Sequence, residues 1–109
     1  MLLALKEAKL ARPPKKKLIE EIPKYTLFGS INPKPSDKRI IIMKLEEYET
    51  IRLIDYEGKV QQECAHLMDV SRTTVQKLYN DARAKIASSL LLGLKLKIQG
   101  GNFDIKNSE

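Results

Sequence analysis

The segment Gln61–Asn80, QQECAHLMDVSRTTVQKLYN, constrains the fold of this chain more than any other stretch. Ser71 is a predicted N-cap residue, because its hydroxyl can accept a hydrogen bond from the backbone N–H of Thr73 or Thr74. A helix over 72–92, ended by a glycine, then carries an apolar stripe at helical spacing. The stripe consists of Val75, Leu78, Tyr79, Ala82, Ile86 and Leu90. The segment therefore predicts two helices joined by a tight turn.

The opposite face of the second predicted helix is polar near its start. Four residues that can donate hydrogen bonds lie there, none of them acidic: Thr73, Gln76, Lys77 and Asn80. On DNA, Lys binds phosphate or guanine, and Asn or Gln binds adenine in the major groove. We therefore expect this face to contact DNA, together with the residues at its borders, Ser71, Arg72 and Arg83. The alternative is an ordinary solvated helix face, which is also polar.

The first predicted helix runs from Gln61 to about Met68. Ala65 is small, which suits a point where two helices cross closely. Asp69 stands in the turn, and Asp tolerates a left-handed backbone conformation better than most residues. We expect the free backbone N–H groups at Gln61 and Gln62 to bind a phosphate.

This pattern resembles a helix-turn-helix, in particular the version in region four of bacterial sigma factors and their relatives. In that version a short Gly-containing link leads into the first helix, and a long recognition helix with an Ala-Arg pair follows the turn. The residues that carry the resemblance are Gly58, Ala65, Val70, Ser71, Val75, Leu78, Ala82 and Arg83. The resemblance implies a mainly α fold with a three-helix helix-turn-helix domain.

The flanking segments extend the resemblance. EYETIRLIDYEG before the helix pair and GLKLKIQGGNFDI after it resemble a small family labelled "predicted DNA-binding protein". Its members often open with an Ala-Arg-Pro segment, as in Ala11-Arg12-Pro13. The similarity covers residues 11–105 in order and spacing. It implies sequence-specific binding of double-stranded DNA and a role as a transcriptional regulator.

Positive charge is concentrated in the N-terminal third of the chain. The net charge is +6, and residues 1–38 hold nine lysines and arginines against four acids. Such an excess suits a polyanionic partner. Arg12, Lys15, Lys16 and Lys17 therefore predict a cationic arm that contacts DNA, similar in kind to arms that enter a minor groove. The alternative is a run of solvated lysines that keeps a loose tail soluble.

Prolines separate this arm from the rest of the chain. All five lie within residues 11–38, where they favour extended or irregular structure. We therefore divide the chain into a basic arm (1–38), a helix-turn-helix DNA-binding domain (39–105) and a polar tail (106–109). A length of 109 residues suits one small domain.

Two β elements are predicted beside the helices. The β-branched run RIIIM over 39–43 predicts a buried strand. Near the C-terminus, two runs alternate apolar with other residues over 94–98 and 103–105, with Gly100 and Gly101 between them. This spacing predicts a hairpin with one apolar face. The helical domain would thereby gain a small, winged-helix-like β element.

A further helix is predicted over Leu45–Glu57, followed by Gly58 at its end. Its apolar residues cover a wide arc, more than contact with the helix pair alone requires. A sheet, the arm or a second subunit must therefore cover it. Three acids near its start are expected to be solvated and to complement the helix dipole: Glu46, Glu47 and Glu49.

Several kinds of site find no support in the sequence. Cys64 is the single cysteine, which excludes an internal disulfide and a metal site built from several cysteines. His66 is the single histidine and has no visible catalytic partner. We therefore expect no metal, no cofactor and no enzymatic activity. The opening segment MLLALKEAKL is too short and too charged for a signal peptide or a membrane span, so we expect a cytoplasmic location.

The expected partner is double-stranded DNA. A region-four-like domain that docks RNA polymerase or another protein is the alternative, and RNA binding is disfavoured by the scarcity of aromatic residues. We also expect a homodimer, because the apolar arc over 45–57 and the face of Ala84, Ala87 and Leu91 exceed what the helix pair needs to bury. A monomer in which the strand over 39–43 joins the hairpin is the competing arrangement.

Overall fold

The computed structural model describes residues 16–34 and 38–106. Within these residues the fold is mixed α/β, with the three predicted helices and five short strands. The strands are β1 (Lys17–Ile19), β2 (Leu27–Phe28), β3 (Ile40–Met43), β4 (Lys95–Ile98) and β5 (Phe103–Ile105). The helices are α1, which is α-helical over Leu45–Thr50 and π-helical over Ile51–Tyr56, α2 (Gln61–Met68) and α3 (Arg72–Leu92). The β part is larger than the prediction of a mainly α chain allowed.

Local signals set the ends of α2 and α3, and the predicted bounds of both helices are confirmed. Asp69 ends α2 in the left-handed conformation (φ 57°, ψ 46°). The Ser71 hydroxyl accepts a hydrogen bond from the Thr74 N–H at 3.1 Å and so caps α3. Gly93 (φ 68°) ends α3. Residues within a few positions of each helix end therefore specify the helix pair.

The predicted C-terminal hairpin is wrong, although both of its strands are present. β4 pairs with β2 in antiparallel and with β3 in parallel orientation, so both of its edges are occupied. β5 instead runs parallel to β1 in a separate two-stranded sheet. Gly100 and Gly101 have positive φ (74° and 114°) where the chain passes from one sheet to the other. The described residues therefore do not form the expected winged-helix-like hairpin.

Part of the predicted N-terminal arm belongs to the fold. β1 and β2 both lie within residues 1–38, and each sheet contains one of them. Ile19 on β1 is buried, and its carbonyl accepts a hydrogen bond from the Lys106 N–H at 2.7 Å. The predicted domain boundary at residue 38 thus separates strands that pair with each other, since β1 and β2 lie before it and their partners β5 and β4 lie after it.

β3 is shorter than predicted and buries one face only. Met43 lies in the core, whereas Ile40 and Ile42 are 49% and 39% exposed. The expected buried strand is therefore a half-buried one, because only one face of its sheet packs against α1 and α3.

The core consists of two apolar clusters, and α1 contributes to both. One joins the strands to α1 and α3 through Ile19, Met43, Leu45, Ala82, Leu96 and Ile98. The other joins α1 to α2 and α3 through Leu53, Cys64, Ala65, Met68, Val75 and Leu78. Most of the wide apolar arc of α1 is therefore covered within one chain, and Tyr56 is its large exposed residue. This removes the predicted need for a second subunit at that surface.

The expectation that the α1 glutamates are solvated is wrong. Glu46, Glu47 and Glu49 are only 2%, 2% and 3% exposed. A buried charge is costly unless it is paired and hydrogen-bonded. The Glu46 Oε2 atom accepts a hydrogen bond from the Asn102 N–H at 3.1 Å and lies 4.0 Å from Lys17 Nζ. This carboxylate therefore connects α1 to β1 and to the turn before β5.

The other two glutamates connect α1 to different parts of the molecule. Glu47 Oε1 accepts a hydrogen bond from Lys85 Nζ on α3 at 2.7 Å. Glu49 accepts two hydrogen bonds from the Arg52 guanidinium at 2.8 Å and one from the Glu20 N–H at 2.9 Å. The hydrogen bonds that Arg52 donates to Glu49 raise the pKa of the Arg52 guanidinium above the ordinary arginine value. The three carboxylates thus fix α1 between the strands and α3.

The predicted continuous α-helix over 45–57 changes to a π-helix at its middle. At the change, the Thr50 hydroxyl donates a hydrogen bond to the Glu47 carbonyl at 2.7 Å. The Glu57 N–H donates to the Arg52 carbonyl five residues earlier, at 3.0 Å. The wider π turn shifts the side chains that follow relative to an unbroken α-helix, and Leu53 in this part packs against the α2–α3 pair.

None of the helices in residues 16–34 and 38–106 combines the length and the apolar character needed to cross a membrane.

Candidate nucleic-acid interface

A polar surface lies on α3 opposite its buried side. We call it the contact face and define it by six exposed residues: Arg72, Thr73, Gln76, Lys77, Asn80 and Arg83. On the other side of the same helical turns, Val75, Leu78 and Ala82 are buried. The core therefore holds α3 by its apolar side, and the six predicted residues share one accessible surface.

The turn before α3 fixes where the contact face begins. The Val70 N–H donates to the Ala65 carbonyl at 3.0 Å, which closes the turn. Ser71 is exposed, but its Oγ atom already accepts from the Thr74 N–H and lies 2.9 Å from Thr74 Oγ1. Ser71 thus contributes to the surface mainly by starting the helix at Arg72.

Lys77 is a strongly solvated cation on the contact face and has one ion-pair partner among the described residues. Its side chain is 77% exposed, and Nζ donates a hydrogen bond to Asp81 Oδ2 at 2.9 Å, one helical turn away. This bond raises the pKa of Lys77 and lowers the pKa of Asp81. Exposed pairs of this kind are weak, so a phosphate can compete with Asp81 for the ammonium group.

Arg83 lies at the far end of the contact face and is positioned by its neighbours. Its guanidinium carbon is 5.4 Å from the centre of the Tyr79 ring, within the range of a cation–π contact. The Tyr79 hydroxyl in turn donates to Asp55 Oδ1 on α1 at 2.7 Å, which raises the pKa of Tyr79. Sequence spacing placed Tyr79 in the apolar stripe and gave no signal for this role.

The predicted phosphate site at the start of α2 contains an acid. Gln61 is half-buried and Gln62 is exposed. The carboxylate of Glu63, in the same turn, accepts a hydrogen bond from the Val60 N–H at 3.1 Å. Glu63 therefore satisfies one backbone donor near this helix end and places a negative charge where a phosphate was expected.

The predicted basic arm is only partly within the described residues. Lys16 is exposed, with Nζ 3.7 Å from Asp104 Oδ1. Lys17 belongs to β1, is half-buried and faces Glu46, so it is a structural residue as well as a cation. Arg12 and Lys15 lie outside the described residues. Of the two described residues, Lys17 lines one cavity with Thr73 and Lys77 of the contact face.

One cation beside the contact face has no sequence signal. Lys44, just before α1, lines a cavity of about 320 Å³ together with Ser71, Thr73 and Lys77. Lys17 and the buried carboxylates of α1 line its other side. Only tertiary packing places Lys44 near the start of α3, so pattern analysis of the chain could not find it.

No group of His, Cys, Asp and Glu side chains in the described part of the chain has the arrangement of a metal site. Cys64 is fully buried, and its Sγ atom lies 3.7 Å from Met68 Sδ. Burial raises the pKa of the Cys64 thiol to about 11. This thiol is therefore protonated at neutral pH, as expected of a small core residue.

Comparison with known proteins finds relatives along nearly the whole chain. The family described as "Protein of unknown function DUF134" matches residues 7–106. A UPF0251 protein of Desulfitobacterium hafniense (strain Y51) is 45% identical over 94 residues, which cover 86% of this chain and 75% of that protein. A UPF0251 protein of Thermoanaerobacter sp. (strain X514) is 38% identical over 100 residues, covering 92% and 88% of the two chains. No solved structure matches the chain.

Proposed function

Since the chain belongs to the family described as "Protein of unknown function DUF134", we propose a function that rests on the geometry of the chain itself. We propose that α2 and α3 form a helix-turn-helix that binds double-stranded DNA in a sequence-specific manner. The protein would thereby regulate transcription. The observation that carries the proposal is the contact face, a set of hydrogen-bond donors on a capped helix whose other side is buried. The resemblance of the pair to region four of sigma factors supports the same function.

The size of the contact face suits a major groove. From Thr73 to Asn80 the axis of α3 advances by about 10 Å at 1.5 Å per residue, and a major groove about 12 Å wide admits one helix. Over that length the helix can contact about three successive base pairs.

Each residue of the contact face has a role that follows from its chemistry. Gln76 and Asn80 carry amides that can pair with the N6 and N7 atoms of adenine. Lys77, once released from Asp81, binds a phosphate or a guanine. Arg72 and Arg83, at the two ends of the face, would bind the flanking phosphates. The amides would therefore supply specificity, and the cations would supply most of the affinity.

We propose that the protein acts as a homodimer. Beyond Asn80 the same side of α3 becomes apolar, with exposed Ala84, Ala87 and Leu91. A single helix-turn-helix makes few base contacts, and two-fold pairing lets two half-sites be bound together. Contact between the C-terminal halves of two α3 helices would cover Ala87 and Leu91, whereas Ala84 lies at a cavity beside Ile41.

Gln76→Ala and Asn80→Ala test the assignment of the contact face. Duplexes are first selected from a random pool by the wild-type protein, and binding is then measured by fluorescence anisotropy. We expect each variant to lose about 1–3 kcal/mol of binding free energy on the selected site and little on unrelated DNA, because amide–adenine contacts confer specificity. Gln99→Ala is the matched control, since Gln99 is exposed in the loop after β4.

The main alternative is a protein-interaction module that docks RNA polymerase or another protein. It predicts that no sequence is enriched in the selection and that both amide variants bind DNA as the wild type does. Copurification of polymerase subunits with the wild-type chain, in the absence of selected DNA sites, would favour that alternative over the DNA-binding proposal.

A further inference from the structure

β3 forms one edge of the three-stranded sheet and has no partner on its outer side among the described residues. Its side chains alternate, so that Met43 is buried while Ile40 and Ile42 face solvent. An apolar edge strand presents free backbone donors and acceptors and is a template for an added strand. Proteins commonly blunt such edges with charged side chains, yet this strand exposes two isoleucines.

The outer face of this sheet combines apolar side chains with positive charge. The register places Ile40 beside Lys95, and Ile42 in one row with Lys97 and Leu27. Both lysines are exposed, and neither forms an ion pair with a described residue. No acidic residue belongs to β2, β3 or β4. A ligand of this face therefore needs apolar groups together with negative charge.

The inner side of the same edge borders an apolar groove. A cavity of about 410 Å³ lies between β3 and α3, and it is lined by Ile41, Ala84, Ser88, Leu92 and Leu94. The two charged groups at its wall, Asp81 and Lys85, already pair with other side chains. A strand placed along β3 would thus send alternate side chains into the groove and onto the outer face.

We infer that β3 binds an extended segment of a partner protein by strand addition, and that this segment alternates apolar with acidic residues. Backbone hydrogen bonds to β3 supply affinity, as in other complexes in which a peptide extends a sheet. The apolar side chains enter the groove beside Ala84 and Leu92. The acidic side chains lie on the outer face beside Ile40 and Ile42, and they extend across that row toward Lys95 and Lys97, whose strand is about 10 Å from the added one.

A second copy of this chain fits the edge less well than an acidic segment does. Two-fold pairing of β3 with its copy, centred on Ile41, sets Lys38 of each chain opposite Lys44 of the other. Like charges directly opposite each other destabilise a strand pair. DNA bound at the contact face of α3 would not reach the outer face of the sheet, because the sheet itself lies between that face and α3.

This inference does not depend on the proposed function. The contact face lies on exposed turns of α3, whereas the added strand would lie at β3 and on the groove side of α3. DNA binding can therefore fail while peptide binding succeeds, and the reverse is also possible. Each assay below is run beside the DNA-binding assay on the same protein sample.

The test uses a short dye-labelled peptide in which glutamate alternates with valine, and a matched peptide in which lysine replaces glutamate. Anisotropy should show binding of the acidic peptide only. The double variant Lys95→Glu/Lys97→Glu should weaken it about tenfold or more, because attraction becomes repulsion. Ala84→Trp, which fills the groove, should have a comparable effect. Lys24→Glu/Lys34→Glu, at two exposed lysines outside the sheet, is the control with the same change in charge and should bind as the wild type does.

Circular dichroism and the thermal midpoint show whether the variants are folded, and two variants at separate positions keep the test valid if one of them is not. Equal binding of both peptides, no binding of the acidic peptide, or wild-type binding by both folded variants would overturn the inference. So would a dimer, seen by sedimentation, that Ile42→Asp dissociates, since the edge would then belong to a second copy. Displacement of the acidic peptide from the wild type by single-stranded DNA would assign the face to nucleic acid.

Discussion

At the scale of single residues, Glu46 and Gly101 constrain each other. Gly101 has a φ of 114°, and a Cβ atom at that position would lie 1.9 Å from Glu46 Oε1. The glutamate cannot move aside freely, because it is buried and its other oxygen accepts from the Asn102 N–H. Glu46 Oε1 itself has no hydrogen-bond partner among the described residues. A glycine is therefore required for two reasons, the backbone conformation and the close carboxylate.

Gly101→Ala should lower the free energy of unfolding by about 3 kcal/mol, because it adds a steric clash to the cost of a positive φ. Gly100→Ala is the matched control. Gly100 also has a positive φ but faces open space, so its loss should be about 1 kcal/mol. Urea denaturation measures both values. Equal losses for the two variants would show that the contact with Glu46 does not matter.

Cys64 provides a second prediction at this scale. Burial raises the pKa of its thiol to about 11, so native protein at pH 8 should react with iodoacetamide far more slowly than unfolded protein. The direction of this pKa shift also determines how the stability of the fold depends on pH. Because the pKa of the thiol is higher in the folded state, its contribution to stability is complete below the pKa of about 8.5 that the thiol has in the unfolded chain. This contribution is lost as the pH rises toward 11.

Mass spectrometry of samples quenched at successive times measures the alkylation of Cys64 in native protein and in guanidinium chloride. Cys64→Ala, compared with the wild type by urea denaturation between pH 8 and 11, isolates the contribution of the thiol to stability. Similar alkylation rates in native and unfolded protein would contradict the burial of this side chain.

At the scale of elements, α1 is the part that joins the others. Its glutamates pair with groups on β1, on α3 and on its own π-helical part, while its apolar side enters both core clusters. The position of the contact face thus depends on α1, because the Glu47–Lys85 pair and the Tyr79–Asp55 bond both connect α1 to α3.

Glu47→Ala should lower the free energy of unfolding by about 2 kcal/mol, since Lys85 would lose its partner in a partly buried site. The change also removes the acceptor of the Lys44 N–H, now 2.9 Å from Glu47 Oε1. Glu47→Gln keeps an acceptor without the charge and should be intermediate. Glu21→Ala, at an exposed glutamate, should cost less than about 0.5 kcal/mol. The same loss for Glu47→Ala and Glu21→Ala would contradict the importance of the buried pair.

At the scale of the whole molecule, the buried ion pairs of the α1 glutamates change how the charges behind the net charge of +6 are distributed over the surface. Residues 39–58 hold five acids, which on the sequence alone suggest a negative surface beside the contact face. Three of those acids are buried and paired with Lys17, Lys85 and Arg52. Little of that negative charge therefore reaches the surface, which favours association with a polyanion.

The proposed homodimer is tested by Leu91→Glu. Leu91 is 84% exposed, so the substitution should not affect folding of one chain. If two α3 helices pair through this residue, a charge there should shift light scattering at micromolar concentration from two-chain to one-chain mass. Tyr56→Glu, at an exposed residue of α1, is the control and should leave the mass unchanged. A one-chain mass for the wild type would exclude this dimer.

Local sequence was sufficient to place the helix pair and the surface that it exposes. Ser71, Asp69 and Gly93 act on backbone groups within a few residues, so their effects are visible in the chain itself. The alternation of Leu94, Leu96 and Ile98 with exposed lysines likewise marked β4 as a half-buried strand. In α3 and β4, periodicity therefore identified most of the residues that face the core, although Leu90 of the predicted apolar stripe is 78% exposed.

Only the tertiary structure decided which strands pair and what the buried charges contact. Alternation is the same whichever neighbour a strand has, so it could not show that β4 lies between β2 and β3 and not beside β5. The bonds that the Asn102 N–H donates to Glu46 and that Lys85 Nζ donates to Glu47 join residues 56 and 38 positions apart. A carboxylate is stable in a core only when donors reach it, and for Glu46 and Glu47 no local pattern specifies that these distant donors will do so.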